Sequence, residues 1–179
     1  MNKKELILRT ATSLFSENGF ENTSMNQICN AANVSKGLVY HHFDSKNEIL
    51  VEIFRNTTEQ MKNISSLSSN ESPSDQLLTI IENFFSQLEK DVVTLRLNLN
   101  VMFQPSTREF LKAQIEERSS LLYGSVKKIF DQIDQEKSNA LSFMFIAELD
   151  GIALSFLSIF EDYPLLEIKD QLVSKYQSL

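Results

Sequence analysis

The sequence predicts an all-α protein: an N-terminal three-helix helix-turn-helix domain over residues 1–54, then a larger helical domain over residues 55–179. Three observations carry this prediction. The 179 residues include only four Gly and three Pro, which favours long helices over many-turned β structure. Apolar residues recur three and four apart along much of the chain. Between Thr23 and Lys46 two short helical segments are separated by a tight turn and share a small-residue packing face.

The first helix is expected from about Lys3 to Asn18, with Leu6, Ile7, Ala11, Leu14 and Phe15 at helical spacing. Gly19 ends it as a C-terminal cap. Phe20 should pack beneath the motif and close a three-helix core with Leu38 and Phe43. Lys3 and Lys4 read equally well as contacts to a phosphate and as part of a solvated terminus.

Thr23 and Ser24 are both able to cap the next helix, and Ser24 with Gln27 has capping-box spacing. Ile28, Ala31 and Ala32 are placed on its inner face. Asn33 tolerates a left-handed backbone and is expected to end this helix, with Val34 plugging the angle. Ser35 caps the second short helix, Lys36 to about His42. Its N-terminus offers free N–H groups and partial positive charge to phosphate oxygens, and Lys36 adds a full charge. Gly37 costs a helix about 1 kcal/mol against Ala. Helix stability therefore does not explain it, whereas close approach to DNA does. Tyr40, His41 and His42 are hydrogen-bonding side chains one turn further on. Ser45 and Glu48 form a capping box for the next helix. Lys46 in that helix's first turn opposes the helix dipole, which a phosphate contact would offset. The candidate DNA-binding residues are thus Thr23, Ser24, Ser35, Lys36, Gly37, Tyr40, His41, His42 and Lys46.

Gly19-Phe20, Thr23-Ser24-Met25, Ile28, Ala32, Val34-Ser35-Lys36-Gly37, Tyr40, His42-Phe43 and Ser45-Lys46 together resemble the N-terminal domain of TetR-type transcriptional regulators over residues 5–54. Asn33 stands where the family usually has Gly, and Cys29 where a small residue such as Ala is usual; Cys packs as a small hydrophobe. The resemblance implies a dimer built on a four-helix bundle of the last two long helices, and most often a repressor.

A longer helix follows from Ser45 to about Ile64 through Ile49, Leu50, Ile53 and Phe54, with the functional boundary near Arg55. The stretch from Ser65 to Ser74 is a polar break. Five more helices are expected: about Asp75–Glu89, Val92–Phe103, Ser106 or Thr107 to Ile133, Lys137–Glu161, and Leu165–Tyr176. Pro105 and Pro164 separate elements.

Charge is uneven. Residues 1–62 hold seven Lys/Arg against seven Asp/Glu, and residues 63–179 hold ten against seventeen, which accounts for the net charge of −7. Specific contacts rather than a large positive field must then hold DNA. A single Cys excludes an internal disulfide, and no metal cluster or cofactor motif is visible. The two His lie adjacent in the motif and no nucleophile–base constellation appears, so no enzyme is expected. The N-terminus does not read as a signal peptide and no run of 18 apolar residues occurs, so the expected compartment is the cytoplasm, with no membrane contact.

The segment Lys137–Glu161 is apolar almost all round, so it must be covered on every side, one face by its own chain and another by a second subunit. A homodimer through residues 137–176 on a palindromic operator is the expectation, with Gly151 allowing close helix approach. Glu148 and Asp150 interrupt this helix; Arg96, Arg108, Arg118 or a cationic ligand are candidate partners, and a wet edge is the simpler reading. Asn98, Asn100 and Gln104 alternate with apolar neighbours. With Phe84, Phe85, Met102, Phe103, Phe110, Tyr123, Phe143 and Glu148 they form a candidate small-molecule pocket. Two functions remain open: a ligand-responsive regulator, and an effector-independent DNA-binding or scaffolding protein whose large domain contacts another protein.

Overall fold

In a computed structural model, residues 2–65 and 71–177 are described, and among them every regular element is a helix. The order is α1 (Lys3–Asn18), α2 (Met25–Ala31), α3 (Lys36–His42), α4 (Lys46–Ser65), α5 (Pro73–Lys90), α6 (Val92–Phe103), α7 (Pro105–Phe110), α8 (Lys112–Ile133), α9 (Ser138–Leu154), a π-helical turn (Ser155–Ile159) and α10 (Leu165–Gln177). Residues 66–70 of the polar break expected at residues 65–74 lie outside the described residues; Ser65 ends α4, and Pro73 and Ser74, expected in the break, open α5. Two compact units form: Met1–Met61 with Val93–Glu116, and Lys62–Val92 with Glu117–Leu179.

The first unit is built around α1. Asn2 caps it, its side chain accepting from Lys4 N at 3.2 Å while Glu5 accepts from Asn2 N at 3.1 Å. Gly19 ends the helix at φ +80°, in the region that favours glycine. The core joins Ile7, Ala11 and Phe15 of α1, Phe20, Ile28 and Cys29, Val39 of α3, Phe43, and Ile49, Leu50, Ile53 and Phe54 of α4. Leu97 and Val101 of α6 and Leu111 complete it, so residues assigned by sequence to the larger domain pack in the core of the smaller unit. Asn100 of α6 adds a polar tie, donating from Nδ2 to the Ser16 carbonyl at 3.2 Å.

Two packing expectations require correction. Val39 takes the core place expected for Leu38, which is half-buried, and Ala31 faces solvent while Ala32 is buried. In a two-turn helix adjacent residues differ by about 100° in azimuth, so a one-residue error moves a side chain from core to rim.

α4 is one uninterrupted helix through Arg55. Its Glu52 carboxylate accepts from Lys4 Nζ and pairs with Arg55 at 2.9 Å. The hydrogen bond from Lys4, aided by both positive charges, holds Glu52 below the usual carboxylate range. A depressed folded-state value stabilises the fold above the unfolded carboxylate value, and that stability is lost as pH falls through the folded value. In urea titrations between pH 6 and pH 3, Lys4→Met should be less stable than wild type at pH 6. The two stability curves should converge at the acid end.

The second unit packs α10 along α5, with Lys169 and Glu82 paired at 2.6 Å. Leu77, Ile81, Phe85 and Leu88 of α5 are buried, as are Val126, Ile129 and Phe130 of α8 and Phe145, Leu149 and Ile152 of α9. Leu172 and Tyr176 of α10 are buried too, and the Tyr176 ring meets Phe145 edge-on at 4.9 Å.

The helix expected from Ser106 or Thr107 to Ile133 is two helices, α7 and α8, broken at Leu111. Pro105 does not merely end α6; it opens α7, where its missing N–H costs nothing. The Thr107 hydroxyl donates to the carbonyls of Gln104 at 2.9 Å and Val101 at 3.3 Å. The segment Lys137–Glu161 also divides, with α9 running into the π-helical turn and Phe160 extended. Within this chain α9 is not covered on every side: Phe143 is 59% and Met144 57% exposed.

Candidate nucleic-acid interface

The helix-turn-helix is set by its caps and its turn. Ser24 Oγ accepts from Gln27 N at 3.3 Å, and Gln27 Oε1 accepts from Ser24 N at 2.7 Å, so the capping box fixes the start of α2. Asn33 has φ +50°, the left-handed conformation expected of it. Ser35 Oγ accepts from Leu38 N at 3.2 Å and caps α3.

This local geometry leaves one face of α3 open. Lys36, Gly37, Tyr40 and His41 are exposed and fall at positions i, i+1, i+4 and i+5, one stripe of the helix. The Lys36 ammonium lies 5.7 Å from the Tyr40 ring centroid. A Cβ built on Gly37 meets nothing within 4 Å. The rings of His41 and His42 meet edge-on at 5.2 Å, and half-buried His42 leans on Phe43 with centroids 6.3 Å apart.

Beside this stripe lies an open groove of about 440 Å³, lined by residues 21–26, Lys36, Tyr40 and Lys46. It is polar, carries two ammonium groups, and has room for a phosphate of a nucleic-acid backbone. Not every residue expected at the interface offers a free group there. Thr23 is 2% exposed, and its hydroxyl donates to the carbonyls of Gly19 at 2.9 Å and Leu14 at 3.3 Å. That side chain is a strut of the α1–α2 corner, engaged internally. Lys46 has partners of its own: Nζ donates to the carbonyls of Phe20 at 2.8 Å and Glu21 at 3.1 Å and stands 4.4 Å from the Phe20 ring centroid. These oxygens supply what the sequence required of a phosphate to offset the unfavourable dipole. Glu21, Asn22 and Asn26 line the groove without having been singled out in the sequence, where isolated polar residues outside the motif carry no signal.

The residues expected to line an effector pocket belong to both units. Phe85 is a core residue of the second unit, with Phe84 edge-on to it at 5.3 Å. Phe143 stacks on Tyr123 at 4.8 Å, whose hydroxyl meets Asn139 Oδ1 at 2.6 Å. Glu148 accepts from the Tyr176 hydroxyl at 2.9 Å and pairs with Lys175. Asp150 is electrostatically paired with Arg118, one of the partners expected from sequence. In the first unit, Met102 is 46% and Phe103 69% exposed, Asn98 is half-buried, and Phe110 lies 5.5 Å from Phe20. Met102, Phe103 and Phe143 are exposed within their own units.

Comparison with known proteins agrees with this geometry. Residues 7–53 match the family model of bacterial regulatory proteins, tetR family. IcaR of Staphylococcus aureus, a negative transcriptional regulator of the biofilm operon icaADBC, is 25% identical over 132 residues, covering 72% of this chain and 70% of that protein. A transcriptional regulator from Aquifex aeolicus VF5 shares the fold over 99% of both chains, with a TM-score of 0.79 and 23% identity. AibR, solved in complex with isovaleryl coenzyme A and operator DNA, shares it over 97% of both chains, with a TM-score of 0.73 and 19% identity.

Proposed function

We propose that this chain is a TetR-family transcriptional regulator, a homodimeric, ligand-responsive repressor that reads a palindromic operator with α3. The observation that carries the reading is the open stripe of Lys36, Gly37, Tyr40 and His41 beside the lysine-flanked groove. Backbone at Gly37 approaches the base edges, Tyr40 and His41 supply hydrogen bonds, and Ser24, Ser35 and Lys36 serve the phosphates. Reading lies with the helix-turn-helix of residues 1–54, whose core Leu97, Val101 and Leu111 help to build, and effector binding and dimerisation with the rest of residues 55–179.

Dimerisation is supported by the uncovered apolar face of α9. Within Ser138–Ile159 an 18-residue stretch has a mean hydropathy of 1.7 and a third of it is buried in its own chain, so by length and composition alone this helix is also able to cross a membrane. Glu148 and Asp150 at its centre argue for a protein partner, since a carboxylate at a bilayer midplane costs about 3 kcal/mol. A second copy covers Phe143 and Met144 while both carboxylates keep Tyr176 and Arg118. The proposed interface lies within residues 137–176; α10 also packs along α5 in its own unit, and α9 carries the exposed apolar face. The protein acts in the cytoplasm, where its DNA lies.

Repression is supported by IcaR, a negative regulator, and effector control by AibR, which holds an acyl coenzyme A together with its operator. An effector that favours one arrangement of the two reading heads shifts the population away from the operator-bound form. The second reading, regulation without an effector, draws on the exposure of Met102, Phe103 and Phe143. Selection of bound DNA from a random pool tests the first step; inverted half-sites about one helical turn apart are expected. A panel of apolar and mixed small molecules then tests the second. One of them should raise the melting temperature and weaken operator binding, and a panel that moves neither selects the effector-independent reading.

A further inference from the structure

Glu21 is the one carboxylate among the residues lining the α3 groove, and it faces the ammonium that the groove would offer to DNA. Its Oε2 lies 4.0 Å from Lys46 Nζ, which already donates to the Phe20 and Glu21 carbonyls. Its other oxygen, Oε1, accepts a hydrogen bond from Ser106 Oγ at 2.8 Å. Ser106 belongs to α7, 85 residues away in sequence. Lys46 is therefore surrounded by two carbonyl oxygens and a carboxylate, an oxygen shell of the kind that a phosphate supplies.

We propose that Glu21 is an internal competitor of the DNA phosphate for Lys46, held in place from α7 by Ser106. The inference rests on the reading of the groove as a phosphate site. An ammonium whose charge is partly offset within its own chain has less condensed anion to exchange and adds less to the counterion release that drives binding. Engaging DNA then requires the Lys46–Glu21 pair to open, so the carboxylate sets how strongly the protein holds DNA of any sequence. Because Ser106 anchors that carboxylate, the position of α7 bears directly on the charge of the DNA face. α7 follows α6 where the chain has come back from the second unit, which gives an effector in that unit a covalent route to the groove.

Glu21→Gln isolates the charge, because the amide oxygen still accepts from Ser106. Fluorescence anisotropy on operator and on random DNA, at several salt concentrations, should show affinity raised on both, about three- to tenfold at low salt, with the log–log salt slope steeper by about 0.9 per subunit. In a Lys46→Ala background the same substitution should give no gain. Unchanged or weakened binding by Glu21→Gln overturns the proposal, and so does an equal gain without Lys46, which would make Glu21 a simple repulsive charge. A purely structural pair would lower the melting temperature without strengthening DNA binding. Gly37→Phe separates the two levels: if it binds operator normally, the interface reading itself fails. If it loses operator binding while Glu21→Gln behaves as wild type, only the competitor role is lost.

Discussion

Gly37→Phe should abolish operator-specific binding while leaving the protein folded and dimeric. Beyond its chain neighbours and its own helix backbone nothing stands within 4 Å of a Cβ at this exposed position, so the free protein has room for a larger side chain. Replacing a helical Gly with Phe also adds a few tenths of a kcal/mol of helix stability, about 0.5 at most. The cost appears only on DNA, where the ring occupies space the backbone needs for base-edge approach. Affinity for the operator should fall to the level of random DNA, about a thousandfold or more. Circular dichroism and sedimentation should match wild type, and anisotropy on operator and random duplexes reads the loss. Normal operator binding would place the recognition surface elsewhere on the unit.

Met144→Asp should separate the subunits. Met144 is 57% exposed in the single chain, so an aspartate there is hydrated and harmless to the monomer. In a two-fold interface the substitution occurs twice, and each carboxylate enters an apolar contact without a partner. At about 2 kcal/mol or more per buried unpaired charge, the dimer weakens by at least a few hundredfold. Sedimentation at micromolar concentration should change from twice the 20.5 kDa chain mass to a single chain. Gly151→Leu should act in the same direction by holding the helices apart, since Gly151 has open space around it in its own chain. A wild-type protein that sediments as a monomer would remove the expected palindrome along with the dimer.

Local signals in the sequence were read well. The bounds of α1 and α6, the capping box of Ser24 with Gln27 and the left-handed Asn33 all depend on residues within a few positions of one another. What was hidden depends on distant residues. The break at Leu111 carries no Gly or Pro signal in Thr-Arg-Glu-Phe-Leu-Lys; Leu111 is fully buried in the first unit's core, and tertiary packing sets the break. Val39 and Leu38 are both apolar, and only the third dimension decides which points inward. The partners of Lys46 lie 25 and 26 residues before it, and its competitor's anchor lies on α7. The motif was legible because its spacing is local, while the electrostatic state of its groove was not.

The reading unit is assembled from two stretches of chain that are not adjacent, Met1–Met61 and Val93–Glu116. Leu97, Val101 and Leu111 are among its most deeply buried residues. A ribosome making this protein therefore releases the whole helix-turn-helix well before the core beneath it can close. If α3 reads DNA as proposed, binding competence is expected only after residue 111 has left the exit tunnel and the chain has returned to its own beginning. The same connectivity sets a rule for anyone transplanting this head onto another effector domain: a cut after residue 61 carries the reading helix away with part of its core missing, and a working graft must bring both stretches.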